Sequence, residues 1–262
     1  MNVLGLLSST MCAGLFLICA QAQTVAPPQR AIRVGYLASN AAQAFVDPAM
    51  GKIRGVVPDI FEQLTNRSTF PMTLVAVRSP AAVLDAVQTG EIDLGFVAPN
   101  PGRMGSVAYS QTYMLVQQSF LVSEASPLQS VAELGKPGQT IGANAGDSVA
   151  LYVKTNLGQA TLEESPDMSM KEAAQWLTEG KVIAFGGNRQ RLGIAAKNYP
   201  GIRLLSDNLY GVPQAVAVAK EKPELLAWVN AVLEELRSSG ALQESMSRSG
   251  VDGISVAPPP KN

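Results

Sequence analysis

The pattern of apolar and polar positions predicts alternating strands and helices in the first half of the chain. Residues 31–36 alternate apolar and polar side chains, as a half-buried strand does. A helix with an apolar face is expected at 58–66, a strand at 72–77, a second helix at 80–89 and a buried strand at 92–97. This β-α-β-α-β order favours a mostly parallel sheet covered by helices, and hence an α/β fold.

A second series of elements repeats this alternation and predicts a second unit of similar architecture. The expected elements are a strand at 139–143, a helix from about Ser148 to Leu157, a strand near Leu162, a helix from Ser169 to Glu179, and strands at 181–185 and 202–205. A strand at 212–219 and a strongly apolar-faced helix at 223–238 follow them. The chain is therefore expected to form two lobes.

The order of these elements indicates where the lobes begin and end. We assign residues 31–114 and 212–250 to lobe 1 and residues 118–207 to lobe 2, so the chain crosses between the lobes twice. Residues 251–262 are rich in proline and lack apolar periodicity, and we predict that they form a flexible tail.

The first 22 residues have the pattern of a signal peptide. They form an apolar run too short to cross a bilayer comfortably, and they end in Ala20-Gln21-Ala22, a small-x-small cleavage pattern. We predict cleavage after Ala22 and export to the periplasm. No transmembrane segment is expected in the mature chain.

Composition then excludes several classes of chemistry. The chain has no histidine, and both cysteines, Cys12 and Cys19, lie in the predicted signal peptide. Cysteine and histidine nucleophiles, histidine bases and the commonest zinc ligands are therefore absent from the mature chain. Lys and Arg total 20 against 21 Asp and Glu, which gives no basic surface for nucleic acid. Gly186-Gly187 lacks the spacing of a phosphate loop. We expect no cofactor, no metal and a small-molecule partner.

A polar loop provides the first candidate for binding that partner. The strand predicted at 92–97 runs into residues 98–103, which contain two prolines, a glycine and Arg103. Open α/β folds bind ligands at loops that leave the carboxyl ends of their strands. A guanidinium suits a carboxylate because it offers two parallel hydrogen bonds. Arg103 is therefore a candidate ligand-binding residue.

Several motifs, in order and at similar spacing, carry a family resemblance that covers Ala31 to Gly250. They are IRVGYL, GVVPDIFEQL, LDAVQTGEIDLGF, VAYSQTYM, IGANAGDSVALYV, LTEGKVIAFGG and PELLAWVNAVLEELRSSG. The chain resembles the extracellular solute-binding proteins of family 3, whose best-known members bind amino acids for ABC importers. The resemblance implies a type II periplasmic binding protein-like fold with two hinge strands, closing as a monomer over a solute and delivering it to a membrane permease.

The resemblance also implies individual site residues. Arg103 stands six residues before Tyr109-Ser110, which matches the family's carboxylate-binding arginine. Ser148 matches the hydroxyl residue at the start of a helix in lobe 2, and Asp147 occupies the position of a threonine.

Three asparagines depart from the family pattern. Asn188 occupies the position of the acidic residue that receives the ligand's ammonium, Asn40 falls at a position following the first strand, and Asn100 lies in the loop of Arg103. An enclosed ammonium needs a carboxylate, whereas an amide serves a neutral group. Each asparagine also has a purely structural interpretation as a turn or helix-cap residue, and Ser148 has one as a helix N-cap.

These observations favour a non-enzymatic protein that captures a small polar, carboxylate-bearing solute, such as an amino acid or a related compound. One alternative is an enzyme resembling cyclohexadienyl or arogenate dehydratase on the same scaffold, for which Asp147 is the only acid placed in the site. Another is a ligand sensor that docks on a receptor.

Overall fold

The computed structural model describes residues 31–99, 105–166 and 168–260. The predicted signal peptide and two of the candidate site residues, Asn100 and Arg103, lie outside these ranges. Of the helices that the model describes, none has the length and apolarity needed to cross a membrane.

Strands and helices alternate along most of the described chain. The strands are β1 (Ile32–Leu37), β2 (Phe45–Val46), β3 (Ile53–Arg54), β4 (Met72–Val77), β5 (Leu94–Val97), β6 (Val107–Tyr109), β7 (Met114–Ser123), β8 (Thr140–Asn144), β9 (Thr161–Ser165), β10 (Ala184–Asn188), β11 (Ile202–Leu204), β12 (Tyr210–Ala219) and β13 (Ile254–Val256). The α-helices are α1 (Val56–Arg67), α2 (Pro80–Thr89), α3 (Ser148–Asn156), α4 (Met170–Thr178), α5 (Arg189–Asn198), α6 (Pro223–Ser238) and α7 (Ala241–Ser249).

The strands form a mixed sheet in the order β4-β1-β5-β12-β7-β10-β8-β9. Strands joined through helices pair in parallel: β1 with β4 and β5 on one side, and β8 with β9 and β10 on the other. The two long strands in the middle, β7 and β12, pair antiparallel with each other and with their neighbours. The α/β fold predicted from the alternation is confirmed, and the antiparallel pairs are concentrated at the long strands.

Local sequence signals explain where helices begin and end. The Ser79 side chain accepts a hydrogen bond from the Ala82 N–H at 3.2 Å, and Pro80 is the first residue of α2. Gly90 ends the helix in the left-handed conformation that glycine adopts most readily. Ser169 and Glu172 form the predicted capping box at the start of α4. These signals act over three or four residues, so they can be detected without the tertiary structure.

The antiparallel pair β7–β12 lies between the hydrophobic cores of the two halves of the molecule. Tyr210 to Gln214 pairs with Gln118 to Met114. Val116 packs into the core formed with α1, α6 and α7, whereas Phe120 and Leu121 contribute to cores built around α3, α4 and α5. Each long strand therefore contributes to both sides of the molecule.

The C-terminal segment differs from the predicted flexible tail of residues 251–262. Residues Ile254–Val256 form β13, which pairs antiparallel with Met114–Val116 of β7. The Gln117 N–H donates to the Gly253 carbonyl at 2.8 Å, and Ala257 is buried. Apolar periodicity missed this strand because it is three residues long and its partner lies far away in the sequence. After β13 and Ala257, residues 258–260 are exposed as expected.

Deletion of residues 251–262 should therefore destabilise the protein. We expect the free energy of unfolding to fall by roughly 2–4 kcal/mol, because strand hydrogen bonds and buried apolar groups are lost together. Urea denaturation followed by circular dichroism measures the change. Deletion of residues 258–262 is the matched control and should leave the midpoint unchanged; equal midpoints for both deletions would contradict the contribution of β13.

Substitution of Tyr113 by phenylalanine should stabilise the protein. Tyr113 is fully buried against Phe96, with ring centroids 5.6 Å apart, and its hydroxyl has no hydrogen-bond partner among the described residues. Burial accordingly raises the pKa of Tyr113. We expect Tyr113→Phe to raise the free energy of unfolding by about 1 kcal/mol, since an unsatisfied buried hydroxyl is removed.

Tyr210→Phe is the comparison, because the Tyr210 hydroxyl is hydrogen-bonded with Ser148. We expect this variant to lose stability, by about 1 kcal/mol, in the same urea titration. A destabilised Tyr113→Phe would show that its hydroxyl is bonded after all.

Candidate ligand-binding cleft

A cleft of about 260 Å³ lies where the two halves of the molecule meet. Its walls are formed by residues that follow the carboxyl ends of β1, β5, β8 and β10, and its floor includes residues of β7 and β12. Ligands bind at this end of the strands in open α/β sheets. Four of the predicted site residues line the cleft: Asn40, Asp147, Ser148 and Asn188.

Asn188 is the N-cap of α5. Its Oδ1 accepts hydrogen bonds from the backbone N–H groups of Gln190 at 3.0 Å and Arg191 at 3.5 Å. The structural interpretation of Asn188 as a helix cap is thus confirmed, and the residue lines the cleft as well. Because the oxygen is held by the helix, the group that Asn188 can offer to a solute is its Nδ2 donor.

Asn40 is used in a similar way in a turn after β1. Its Oδ1 accepts a hydrogen bond from the Ala42 N–H at 3.1 Å, and its carbonyl oxygen accepts one from the Gln43 N–H at 2.8 Å. The interpretation of Asn40 as a turn residue is therefore confirmed. Its side chain still lines the cleft, where its amide nitrogen can donate a hydrogen bond.

The start of α3 differs by one residue from the predicted cap. Asp147 occupies the N-cap position, without a side-chain capping bond, and Ser148 is the first helical residue. The interpretation of Ser148 as the N-cap is therefore wrong. Its hydroxyl is instead hydrogen-bonded with Tyr210, whose ring stacks on Tyr152 with centroids 5.0 Å apart. Burial raises the pKa of Tyr210, and the hydrogen bond with Ser148 opposes that change.

A network of glutamine side chains, not identified from the sequence, lies beneath the cleft. Gln43 Nε2 donates to Gln214 Oε1 at 3.0 Å and to the Phe96 carbonyl at 3.3 Å. Gln118 and Gln214 are buried and line the cleft floor. The signal in the sequence is the presence of glutamines inside two mainly apolar strands, Gln117 and Gln118 in β7 and Gln214 in β12. Neutral amides allow a polar floor without the desolvation cost of buried ions.

Arg191 is the other cleft residue that sequence reasoning missed. It lies in the first turn of α5, and its Nη2 donates to the Met168 carbonyl at 2.9 Å. No carboxylate of the described chain forms a salt bridge with it, and it is half-buried in the cleft wall. The sequence signal that could have identified Arg191 is its position three residues after Asn188, where a strand ends. Asp147, on the same cleft, has interactions of its own within the protein.

The α/β fold with a cleft between its halves is the fold of the type II periplasmic binding proteins. The family model of bacterial extracellular solute-binding proteins, family 3, matches residues 32–249. The chain therefore belongs to this family.

Individual relatives agree with this assignment. The chain is 25% identical over 207 residues to the ABC transporter glutamine-binding protein GlnH of Bacillus subtilis (strain 168), covering 76% of this chain and 73% of that protein. It also resembles an ancestral amino-acid-binding protein described as a precursor of cyclohexadienyl dehydratase, with 24% identity, a TM-score of 0.63, and 83% and 94% of the two chains covered. Substrate-binding domain 2 of Lactococcus lactis GlnP, in an open conformation, gives 20% identity, a TM-score of 0.64, and 86% and 97% coverage.

The capping role of Asn188 leads to a stability prediction. Asn188→Ala should lower the free energy of unfolding by about 1 kcal/mol because α5 loses its cap, whereas Asn188→Asp should stay within about 0.5 kcal/mol since aspartate caps equally well. Urea denaturation measures both. Ser169→Ala, which removes the cap of α4 away from the cleft, gives the expected size of the loss. An Asn188→Ala variant as stable as the parent would contradict the cap.

Proposed function

We propose that this protein captures a small polar, carboxylate-bearing solute in the cleft and delivers it to the membrane permease of an ABC importer. The observation that carries the proposal is the convergence of Asn40, Asp147, Ser148 and Asn188 on one cleft at the carboxyl ends of the strands. These residues come from segments up to 148 positions apart, as Asn40 and Asn188 show. The glutamine-binding relative named above supports the class of solute.

Binding is proposed to close the cleft. Asn40 and Pro80 line it from one side, and Ser148 and Asn188 line it from the other. A solute that contacts both sides stabilises the closed arrangement over the open one, by the difference between its affinities for the two. We place the hinges at residues 114–117 and 207–211, where β7 begins and where the chain enters β12, with lobes 31–114 plus 212–250 and 118–207.

Arg103 is proposed to bind the carboxylate of the solute. This role comes from the resemblance, since Arg103 precedes Tyr109-Ser110 at the family's spacing. A guanidinium and a carboxylate form two parallel, charge-assisted hydrogen bonds, which gain strength when water is excluded. Ser148 is proposed to add a hydroxyl contact from lobe 2, and Asn100 an amide contact from the loop of Arg103.

We propose that the protein binds its solute without transforming it. The whole chain has no histidine, and Asp147 is the single carboxylate among the described residues that line the cleft. Elimination chemistry needs a side chain positioned to act as a general acid or base. Asp147 already interacts with other groups of the protein, which makes it a poor candidate for either role. Family membership supports the same conclusion.

The site of action is proposed to be the periplasm. Residues 1–22 have the pattern of a cleaved signal peptide, and the family is one of extracellular proteins. A monomer suffices for the mechanism, because both walls of the cleft belong to one chain.

Thermal unfolding against a panel of solutes tests the proposal. The panel contains amino acids, dicarboxylates, keto acids, small amides and prephenate. A solute that binds only the folded protein stabilises it by about 2.7 kcal/mol at a hundredfold excess over its Kd, so at least one carboxylate should raise the Tm. Arg103→Ala should abolish that shift.

Arg248→Ala is the control, because Arg248 lies on α7 and pairs with Asp59 and Glu244. This variant should keep the full ligand-induced shift whatever its own Tm. A panel without any carboxylate hit, or an undiminished shift in Arg103→Ala, contradicts the proposal. Turnover of prephenate or arogenate would establish the dehydratase alternative.

A further inference from the structure

A second chamber of about 500 Å³, open to solvent, lies beside the cleft. Three side chains line both spaces, Asn40, Asn188 and Arg191, and we call these three the junction. Beyond the junction, the second chamber extends along α5 and includes Met170 and Ile194. A solute held in the cleft therefore has room to continue past the junction.

The junction presents hydrogen-bond donors. The oxygen of Asn188 is bonded to the backbone of α5, and the oxygen of Asn40 is bonded to the Ala42 N–H. Asn188 therefore offers its NH₂ group, and Asn40 offers its NH₂ group together with one remaining acceptor site on its oxygen. Arg191 adds a guanidinium, which has no acceptor at all. An ammonium group needs acceptors, so these side chains suit an anion instead.

The charge of the side chains that line the second chamber also favours an anionic solute group. Among the described residues that line it, Arg191 is the only charged one; the other polar side chains are amides, the Ser39 hydroxyl and the Tyr199 phenol. The guanidinium is half-buried and is held in place by the Met168 carbonyl at 2.9 Å. Since no carboxylate of the described chain neutralises it, an anionic solute group gains a charge-assisted bond there.

We propose that the solute is an extended dicarboxylate, with one carboxylate in the cleft and the other bound by Arg191 at the junction. This inference rests on the proposed function and specifies the class of its solute. Arg191 then selects for a second anionic group, and the space beside the junction leaves room for a chain longer than that of an α-amino acid. The donors of Asn40 and Asn188 complete the recognition of the distal carboxylate.

The test is a series of linear solutes that differ only in length and in the distal group. Isothermal titration of the purified protein with succinate, glutarate, adipate and pimelate is compared with butyrate, pentanoate, hexanoate and heptanoate. Charge-assisted hydrogen bonds contribute about 1.5–3 kcal/mol, so adipate or pimelate should bind roughly 10- to 100-fold more tightly than the monocarboxylate of equal length. Succinate should show little of this advantage.

Four variants locate the effect. Arg191→Gln should remove the advantage of the dicarboxylate, and Arg191→Lys should restore part of it. Asn188→Asp keeps the helix cap but places a negative charge at the junction, so dicarboxylate affinity should fall at least about 10-fold. Lys197→Gln removes one positive charge from the exposed side of the same helix, outside both chambers, and should change nothing.

The outcomes separate this inference from the proposed function. Equal affinities for adipate and hexanoate, or an advantage of adipate that survives in Arg191→Gln, would overturn the role of Arg191. A different result is binding of short carboxylates or amino acids that depends on Arg103 but not on Arg191. That result would support the proposed function and contradict the proposal that the solute is an extended dicarboxylate. Failure of every carboxylate to bind would remove the proposed function itself.

Discussion

The antiparallel pairing of β7 with β12 is the constraint on which the rest of the structure depends. Each strand is ten residues long, which lets it take part in both halves of the molecule. Their pairing, from Met114–Gln214 to Gln118–Tyr210, places the hydrophobic cores of the two halves on either side of one two-stranded ribbon. The cleft lies over this ribbon because the carboxyl ends of the parallel strands in each half face it. Two of its floor residues, Gln118 and Gln214, belong to the ribbon itself.

The hydrogen bonds that polar side chains form within the fold limit which groups they can offer to a solute in the cleft. Asn188 must turn its oxygen toward the N–H groups of α5 to cap the helix, and Asn40 must turn its oxygen toward the Ala42 N–H to form its turn. Neither amide is then free to rotate and present an acceptor, since rotation would leave a backbone donor unsatisfied. A residue that serves the fold can in this way also define the chemistry of the site.

The difference between this cleft and the family pattern that the resemblance implies is one of hydrogen-bond acceptors and donors on a shared scaffold. Family membership and the fold are common to the relatives, some of which are named for glutamine or other amino acids. At 25% identity the cleft side chains are free to differ, and here an asparagine stands where the resemblance leads one to expect an acid. A fold of this kind hosts various ligands because the residues at the strand ends can change without disturbing the cores.

The sequence by itself determined the features that depend on neighbouring residues. Apolar periodicity and the signals at Ser79, Gly90 and Ser169 were sufficient for most helices and strands, because capping and burial patterns repeat within a few positions. Asn40, Asp147, Ser148 and Asn188 were identified from the resemblance, and the structure brings them together; Asn100 and Arg103 stay predictions.

Only the tertiary structure decided the features that depend on distant partners. β13 exists because β7 offers it an unpaired edge, which no local pattern in a proline-rich segment reveals. Gln118 and Gln214 became cleft residues through the pairing of two strands nearly a hundred positions apart. Arg191 became a cleft residue because it lies in the first turn of α5, and the N-cap Asn188 fixes where that helix begins after β10. Contacts of this kind have no period along the chain, so the sequence reveals the residues but not their arrangement.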